Sequence, residues 1–189
     1  MACIAPLDPP YEPAAAEQLE AMMPKGVPPI LLFRTFAKNL PMTQAMRTWG
    51  AYELGRDLSL TMRDREIVID RTCARCGCGY EWAVHTAFFA DRVGFTSDQV
   101  ASLAGGSADD GCWTSARERL LIRAVDALHH RADVDDALAE ALLTELGEKG
   151  MLDLLMLCGW YHAISFTANG ARVPHEPGTP SFRSADLSP

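Results

Sequence analysis

The chain has 189 residues, a formal net charge of −8 at pH 7 and a pI near 5.0. This length suits one domain or two small fused halves, and 48% hydrophobic with 22% charged residues is the composition of an ordinary soluble globular protein. The acidic balance argues against nucleic acid or an anionic membrane as a partner, because both would repel the protein.

The N-terminus and the cysteines indicate a cytoplasmic protein. Residues 1–18 lack the basic leader and apolar core of a secretory signal. Polar residues interrupt the most apolar run, residues 151–168, so no membrane span is predicted. We therefore expect a soluble, cytoplasmic protein whose six cysteines are reduced thiols rather than disulfides.

The hydrophobic pattern is helical, and no stretch alternates with period two for long enough to indicate a strand. Residues 1–13, rich in proline and alanine, predict an extended or disordered arm. Helices are predicted over residues 14–23, 30–37, 42–54, 61–71, 80–93, 97–103, 114–130, 135–146 and 151–168. In the third helix, a set of residues recurs at helical spacing and is predicted to face the core: Met42, Ala45, Met46, Trp49 and either Tyr52 or Glu53. The fold class is therefore predicted to be all-α.

The segment RDREIVIDRTCARCGCGYEWAVHTAFF, residues 63–89, concentrates the reactive side chains. A helix would place Cys78, Glu81 and His85 within roughly a quarter turn of one another. Glu81 and His85 are an i, i+4 pair that can touch directly. Glu66 lies twelve residues before Cys78, and the intervening Thr, Cys and Gly residues weaken helix propensity, so that a bend could return Glu66 to the same face.

Two carboxylates beside an imidazole favour acid/base chemistry, although each Glu alone is more often a surface charge. In a cleft, desolvation and like-charge repulsion would raise the pKa of one carboxyl and keep a proton available near neutral pH. A general acid that acts beside a base must hold such a proton. The neighbouring Cys73 and Cys76 are interpreted as small buried thiols. No metal site is predicted, because Cys73, Cys76, Cys78 and His85 span only thirteen residues, whereas structural zinc sites usually combine separate elements.

The string YEWxxH at residues 80–85 and the four residues Glu66, Cys78, Glu81 and His85 resemble the carboxymuconolactone decarboxylase family. The layout is similar over residues 31–182, including MLCGWYH at 156–162 and NGARVP at 169–174. The resemblance implies an alkyl hydroperoxidase D-like helical bundle that assembles as a homo-oligomer, either a trimer or a hexamer.

The predicted domain covers residues 14–182 and is followed by a tail at 183–189. A weak internal sequence repeat at an offset of 53 residues is consistent with two related halves, about 30–104 and 114–175. Only the first half keeps the acid, thiol and imidazole, so one site per chain is expected.

The resemblance implies catalysis without metal or organic cofactor on a small lactone or carbonyl acid, with decarboxylation as the leading reaction and isomerisation or hydrolysis beside it. His85 would be the donor or proton carrier, Glu81 would orient it, and Glu66 would be a protonated partner. Four further residues are predicted to contact the substrate: Trp82, Tyr161, His162 and Arg71. Of these, Arg71, with Arg75 as the alternative, would hold a substrate carboxylate.

Two other function classes stay open. Relatives with peroxidase activity carry Cys-x-x-Cys-x-x-x-His, in which the second cysteine attacks peroxide and the first resolves it. Cys78 matches the first cysteine, but Glu81 replaces the second, and a carboxylate cannot form the disulfide. A peroxiredoxin-like alkyl hydroperoxide reductase that uses Cys78 is therefore the alternative, with an organic hydroperoxide as substrate. The third class is a non-catalytic binding or stress scaffold.

Overall fold

A computed structural model describes residues 2–180, which form eight helices and no strand. The helices are α1 Pro13–Ala21, α2 Leu31–Phe36, α3 Leu40–Glu53, α4 Met62–Arg75, α5 Gly79–Phe89, α6 Ser97–Gly105, α7 Ala116–Arg131 and α8 Asp136–Ala171. The predicted all-α class is confirmed. The predicted tail and the last two residues of the predicted domain lie outside the described residues.

Helix α4 forms the centre of the bundle and packs against α5, α6, α7 and α8. It begins with a capping box, in which the Thr61 hydroxyl accepts a hydrogen bond from the Asp64 backbone N–H and the Asp64 carboxylate accepts one from the Thr61 N–H. It ends at Arg75, and Gly77 then adopts a left-handed conformation with φ 61°. This turn is the predicted bend, and it brings α5 back against α4.

Helix α8 is broken at Gly147, whose backbone is non-helical with φ 68° and ψ 176°. The two parts correspond to the helices predicted at 135–146 and 151–168. By length and composition alone α8 could cross a membrane, but half of its most apolar window is buried inside the protein. Leu154 and Leu157, for example, are fully buried in the core.

The predicted orientation of α3 is largely wrong. Met42, Trp49 and Tyr52 are 37–41% exposed, Ala45 is also exposed and Met46 is only partly buried. The fully buried residues are Thr43, which was not predicted, and Glu53, the alternative to Tyr52. Hydrogen bonds make this possible: the Thr43 hydroxyl donates to a main-chain carbonyl of α2, and the Trp49 indole donates to Glu53 Oε1 at 2.6 Å. The helical period was therefore correct, but polar residues occupy the inner face.

The segment that precedes α1 lies along the rest of the chain without helical structure. The backbone N–H groups of Cys3 and Ile4 donate to the Ala171 carbonyl, and the Leu7 N–H donates to the Arg34 carbonyl. The arm therefore connects the end of α8 with α2.

Candidate active site

Glu66 and His85 form the centre of the candidate site. Glu66 Oε2 lies 2.7 Å from His85 Nδ1, which the turn at Gly77 allows by setting α5 against α4. On the other side of the imidazole, Nε2 lies 3.5 Å from Glu81 Oε1. The structure thus brings the two predicted carboxylates to opposite nitrogens of the predicted histidine.

The order of the two acids differs from the prediction. Glu81 was expected to orient the imidazole, with Glu66 as a protonated partner, because only the i, i+4 pair is visible as a local contact. In the structure the shorter contact is with Glu66, whose Oε1 also accepts a hydrogen bond from Arg65 Nε at 3.0 Å. Glu66 is therefore the carboxylate that fixes the imidazole.

Tyr161, delivered by α8, completes the surroundings of His85. Its hydroxyl lies 3.0 Å from His85 Nε2, and its ring meets the imidazole edge-on at 88°. Phe89 stacks on the imidazole with ring centroids 5.3 Å apart. Hydrogen bonds at both nitrogens and two aromatic contacts hold the ring in a single orientation, as a proton carrier requires.

The site is nearly closed to solvent, and this shifts its protonation. Glu66 is fully buried, and His85 and Glu81 are only 4% and 6% exposed. Burial lowers the pKa of His85, but the Glu66 carboxylate, assisted by Glu81, raises it to about 10. Burial also raises the pKa of Tyr161 well above its usual value, with Glu81 and Glu66 adding to the effect. At neutral pH the site therefore holds an imidazolium and an un-ionised phenol.

The sequence analysis missed Asp70, which lies one turn after Glu66 on α4. Its side chain is buried, and Oδ1 has no hydrogen-bond partner among residues 2–180. Burial raises the pKa of Asp70 well above its usual value, and this outweighs the lowering effect of His85. The i, i+4 spacing of Glu66 and Asp70 was the available signal. A protonated Asp70 adds no negative charge to the site that Glu66, Glu81 and His85 form.

Glu81 also has an unused acceptor. Its Oε2 is buried without a hydrogen-bond partner in the described part of the chain. A buried carboxylate oxygen without a partner is costly, so this atom marks a point where a ligand hydroxyl or a water could bind.

The cysteines of the motif are poor nucleophiles in this fold. Cys78 is the N-cap of α5 and is fully buried. Burial raises the pKa of Cys78 to about 11 and that of Cys76 to about 12, and it raises the pKa of Cys73 well above its usual value. Because the thiolate is the reactive form, these positions favour unreactive thiols.

The structure separates the predicted substrate contacts. Tyr161 is in the site, and Trp82 is buried in the hydrophobic core. His162 follows Tyr161 on α8 but faces away, with Nε2 3.1 Å from His129 Nδ1. His129, in the last turn of α7, is thus the partner of His162 inside the protein.

The assignment of Arg71 to a substrate carboxylate is wrong. All five of its N–H donors are used inside the protein: two bind the Asp126 carboxylate, and three bind the carbonyls of Ser102, Leu103 and Gly106. Its side chain is completely buried. No donor is left for a substrate.

Two surface cavities lie apart from this cluster. One, of about 660 Å³, lies between α7 and α8, and the other, of about 460 Å³, lies between α3 and α8. Neither is lined by Glu66, Glu81 or His85. Phe89, which stacks on His85, is partly exposed, so the aromatic cover of the imidazole reaches the surface.

Comparison with known proteins supports the fold and the family. A solved structure of an uncharacterized peroxidase-related protein from Silicibacter sp. TM1040 is similar, with a TM-score of 0.78, 16% sequence identity, and 95% of this chain and 96% of that chain covered. At this identity the likeness establishes the helical fold. No match was found among curated proteins. Residues 42–126, which hold Glu66, Cys78, Glu81 and His85, match the model of the Carboxymuconolactone decarboxylase family, and the predicted resemblance to this family is thereby confirmed.

Proposed function

We propose that the chain is a cofactor-independent acid/base enzyme that acts on a small lactone or carbonyl acid, with decarboxylation as the leading reaction. The observation that carries the proposal is the buried chain of contacts from Glu66 through His85 to Tyr161. It holds a charged imidazole and a neutral phenol side by side, away from water, where their hydrogen bonds to a developing anion are strong.

The proposed decarboxylation passes through an enolate. The bond between the substrate carbon and its carboxylate breaks, CO₂ leaves, and the electron pair moves into the conjugated carbonyl to give an enolate. The Tyr161 hydroxyl and His85 Nε2–H are the donors for that oxygen. His85 then transfers a proton to the carbon that lost CO₂, and it is reprotonated from solvent. Glu66 keeps the imidazole ring in place throughout. The dry site disfavours the substrate carboxylate and so assists its loss.

Isomerisation or hydrolysis of a related lactone would use the same donors, and the assay described below distinguishes these reactions from decarboxylation by whether CO₂ appears.

The thiol-dependent alternative has weaker support. Cys78 is buried, its raised pKa disfavours the thiolate, and Glu81 stands where the second cysteine would be needed.

We further propose that the chain assembles with copies of itself, as the resemblance implies. One side of α8 supports this, because Leu152, Met156 and Phe166 are 47–66% exposed and lie on one face of the helix. Light scattering on the eluting protein would give the mass. A wild-type monomer would contradict the proposal, and a Phe166→Lys variant should shift the equilibrium towards smaller species.

The proposed function is tested by a paired assay of the purified protein. CO₂ release from a panel of lactone and β-keto acids is measured beside peroxide consumption with a dithiol reductant. We expect decarboxylation that falls by roughly 10²–10⁴-fold in Glu66→Gln and His85→Ala and is unchanged in Cys78→Ser. Glu140→Gln, an exposed acid on α8, serves as the matched control.

Each other outcome has a distinct meaning. Peroxide consumption that is lost in Cys78→Ser would establish the redox alternative and overturn the proposal. Variants that fold normally, while neither wild type nor variant turns over or binds any acid of the panel, would instead indicate the non-catalytic scaffold.

A further inference from the structure

A second group of reactive side chains lies where the end of α4, the last turn of α7 and the middle of α8 meet. One ligating atom from each of Cys76, His129 and His162 falls within 4.8 Å of the other two. Cys76 Sγ is 3.9 Å from His129 Nδ1, and His129 Nδ1 is 3.1 Å from His162 Nε2. All three residues are partly exposed, and the acid/base mechanism uses none of them.

A main-chain contact fixes the tautomer of His162. Its Nδ1 lies 2.8 Å from the Cys158 carbonyl oxygen, one turn earlier on α8. A carbonyl can only accept, so Nδ1 must carry the hydrogen and Nε2 of the neutral ring presents its lone pair towards His129. Metal-binding histidines are commonly oriented in this way, with the second ring nitrogen donating to a carbonyl.

From this geometry we propose that Cys76, His129 and His162 bind a transition-metal ion, with Zn²⁺ as the best match. One thiolate and two imidazoles are the ligands that zinc prefers. Zinc bonds of about 2.0–2.3 Å in a tetrahedron place neighbouring ligand atoms roughly 3.3–3.7 Å apart. Two of the three observed separations, 3.1 and 3.9 Å, differ from this range by a few tenths of an ångström, and the third, between Cys76 and His162, lies within 4.8 Å.

The proposed site differs from the set of three cysteines and His85 that the sequence analysis considered for zinc. The run of Cys73, Cys76 and Cys78 does not converge with His85, whereas Cys76 alone joins two histidines that are 53 and 86 residues away in sequence. Three separate elements thus supply the ligands. Three protein ligands leave a fourth tetrahedral position for water or another small ligand. On binding, the Cys76 thiol proton is released to solvent, and neutral His129 takes the tautomer that carries its hydrogen on Nε2, so that Nδ1 offers its lone pair to the metal.

The test uses the full-length protein, freed of metal with a chelator and titrated with Co²⁺ as a spectroscopic probe. We expect one equivalent per chain, visible bands of tetrahedral cobalt and a near-ultraviolet band from the thiolate–cobalt bond. Zn²⁺ should then displace the cobalt and remove both signals. Absence of stoichiometric binding would overturn the proposal.

Variants identify the ligands. Cys76→Ser should abolish the thiolate band, and His129→Ala and His162→Ala should each weaken binding by at least about tenfold. His130→Ala, which changes the exposed neighbour of His129, and Cys112→Ser are matched controls that should bind like wild type. A thiolate band that persists in Cys76→Ser would contradict the assignment.

One measurement does not depend on the variants folding. In the wild-type protein, Zn²⁺ should slow alkylation of Cys76 at least about tenfold while leaving Cys112 unchanged, as followed by peptide mass spectrometry. Equal alkylation of Cys76 with and without Zn²⁺ would refute the site, whatever the acid/base assay shows.

Discussion

Helix α4 carries two buried charged clusters that differ in how fully their polar atoms are satisfied. Around Arg71 every donor has an acceptor, and burial of Asp126, which alone would raise its pKa, is outweighed by Arg71 and Arg75, so that the pKa is lowered. Around Glu66, buried oxygens of Asp70 and Glu81 have no hydrogen-bond partner among the described residues, and the pKa values of His85 and Asp70 are raised.

This difference separates charged side chains that hold the fold together from charged side chains that can take part in chemistry. A saturated network ties elements together: Arg71 connects α4 to the end of α6 and to α7. A cluster with unused acceptors and displaced pKa values is costly to fold but can bind and move protons, which is typical of active sites. Glu66 and Arg71 are only five residues apart on α4. The hydrogen-bond partners of each charged side chain, rather than its position on the helix, therefore decide whether it has a structural or a chemical role.

The largest expected effect on stability comes from breaking the saturated cluster. Arg71→Met leaves Asp126 and three carbonyls short of partners, and it should lower the free energy of unfolding by about 3–5 kcal/mol. Urea denaturation measures this, with Arg123→Met as control, because the exposed Arg123–Asp109 pair should be worth no more than about 1 kcal/mol. Decarboxylation per folded molecule should survive in Arg71→Met. An equally small loss in both variants would contradict the structural role.

The next effect is a pH dependence of stability that originates at His85. Its folded pKa of about 10 lies above the unfolded value near 6.5. The folded state thus binds an extra proton in this window, and the stabilisation, fully present below about pH 6.5, is lost as pH rises towards 10. In Glu66→Gln the partner that raises the pKa is gone, so this decline should largely disappear from denaturation curves measured across the window. A wild-type stability that is flat from pH 7 to 10 would show that His85 is neutral.

Much of this site could be predicted from the sequence because its information is local. Glu81 and His85 are one helical turn apart, and the helix-weakening residues before Cys78 indicated the turn that returns Glu66. The period of α3 was equally visible, but periodicity does not say which face is buried. Thr43 is inside because its hydroxyl donates to a main-chain carbonyl of α2, whereas Glu53 is inside with one oxygen bonded to the Trp49 indole and the other without a partner among the described residues.

Contacts between distant segments could not be predicted in this way. The partners of Arg71 lie 31–55 residues away, and His129 meets His162 across 33 residues. Such pairs depend on how α4, α7 and α8 pack, which no local spacing encodes. A single charged or imidazole side chain in a sequence therefore gives little information on whether it binds a substrate, another side chain or a metal.

The smallest expected effect concerns Asp70 and tests whether the unsatisfied cluster really stores a proton. Burial raises the folded pKa of Asp70, so near neutral pH the folded state holds a proton that the unfolded chain has released, and folding costs more as pH rises above about 4. Asp70→Asn keeps the shape and the neutral charge. At pH 4 its stability should match wild type within about 1 kcal/mol, and at pH 7 the variant should be the more stable protein. Asp91→Asn, at an exposed position, should show no such pH-dependent gain. If Asp70→Asn and wild type instead run parallel from pH 4 to 7, Asp70 is ionised in the fold, and the difference between the two clusters of α4 rests on Glu81 alone.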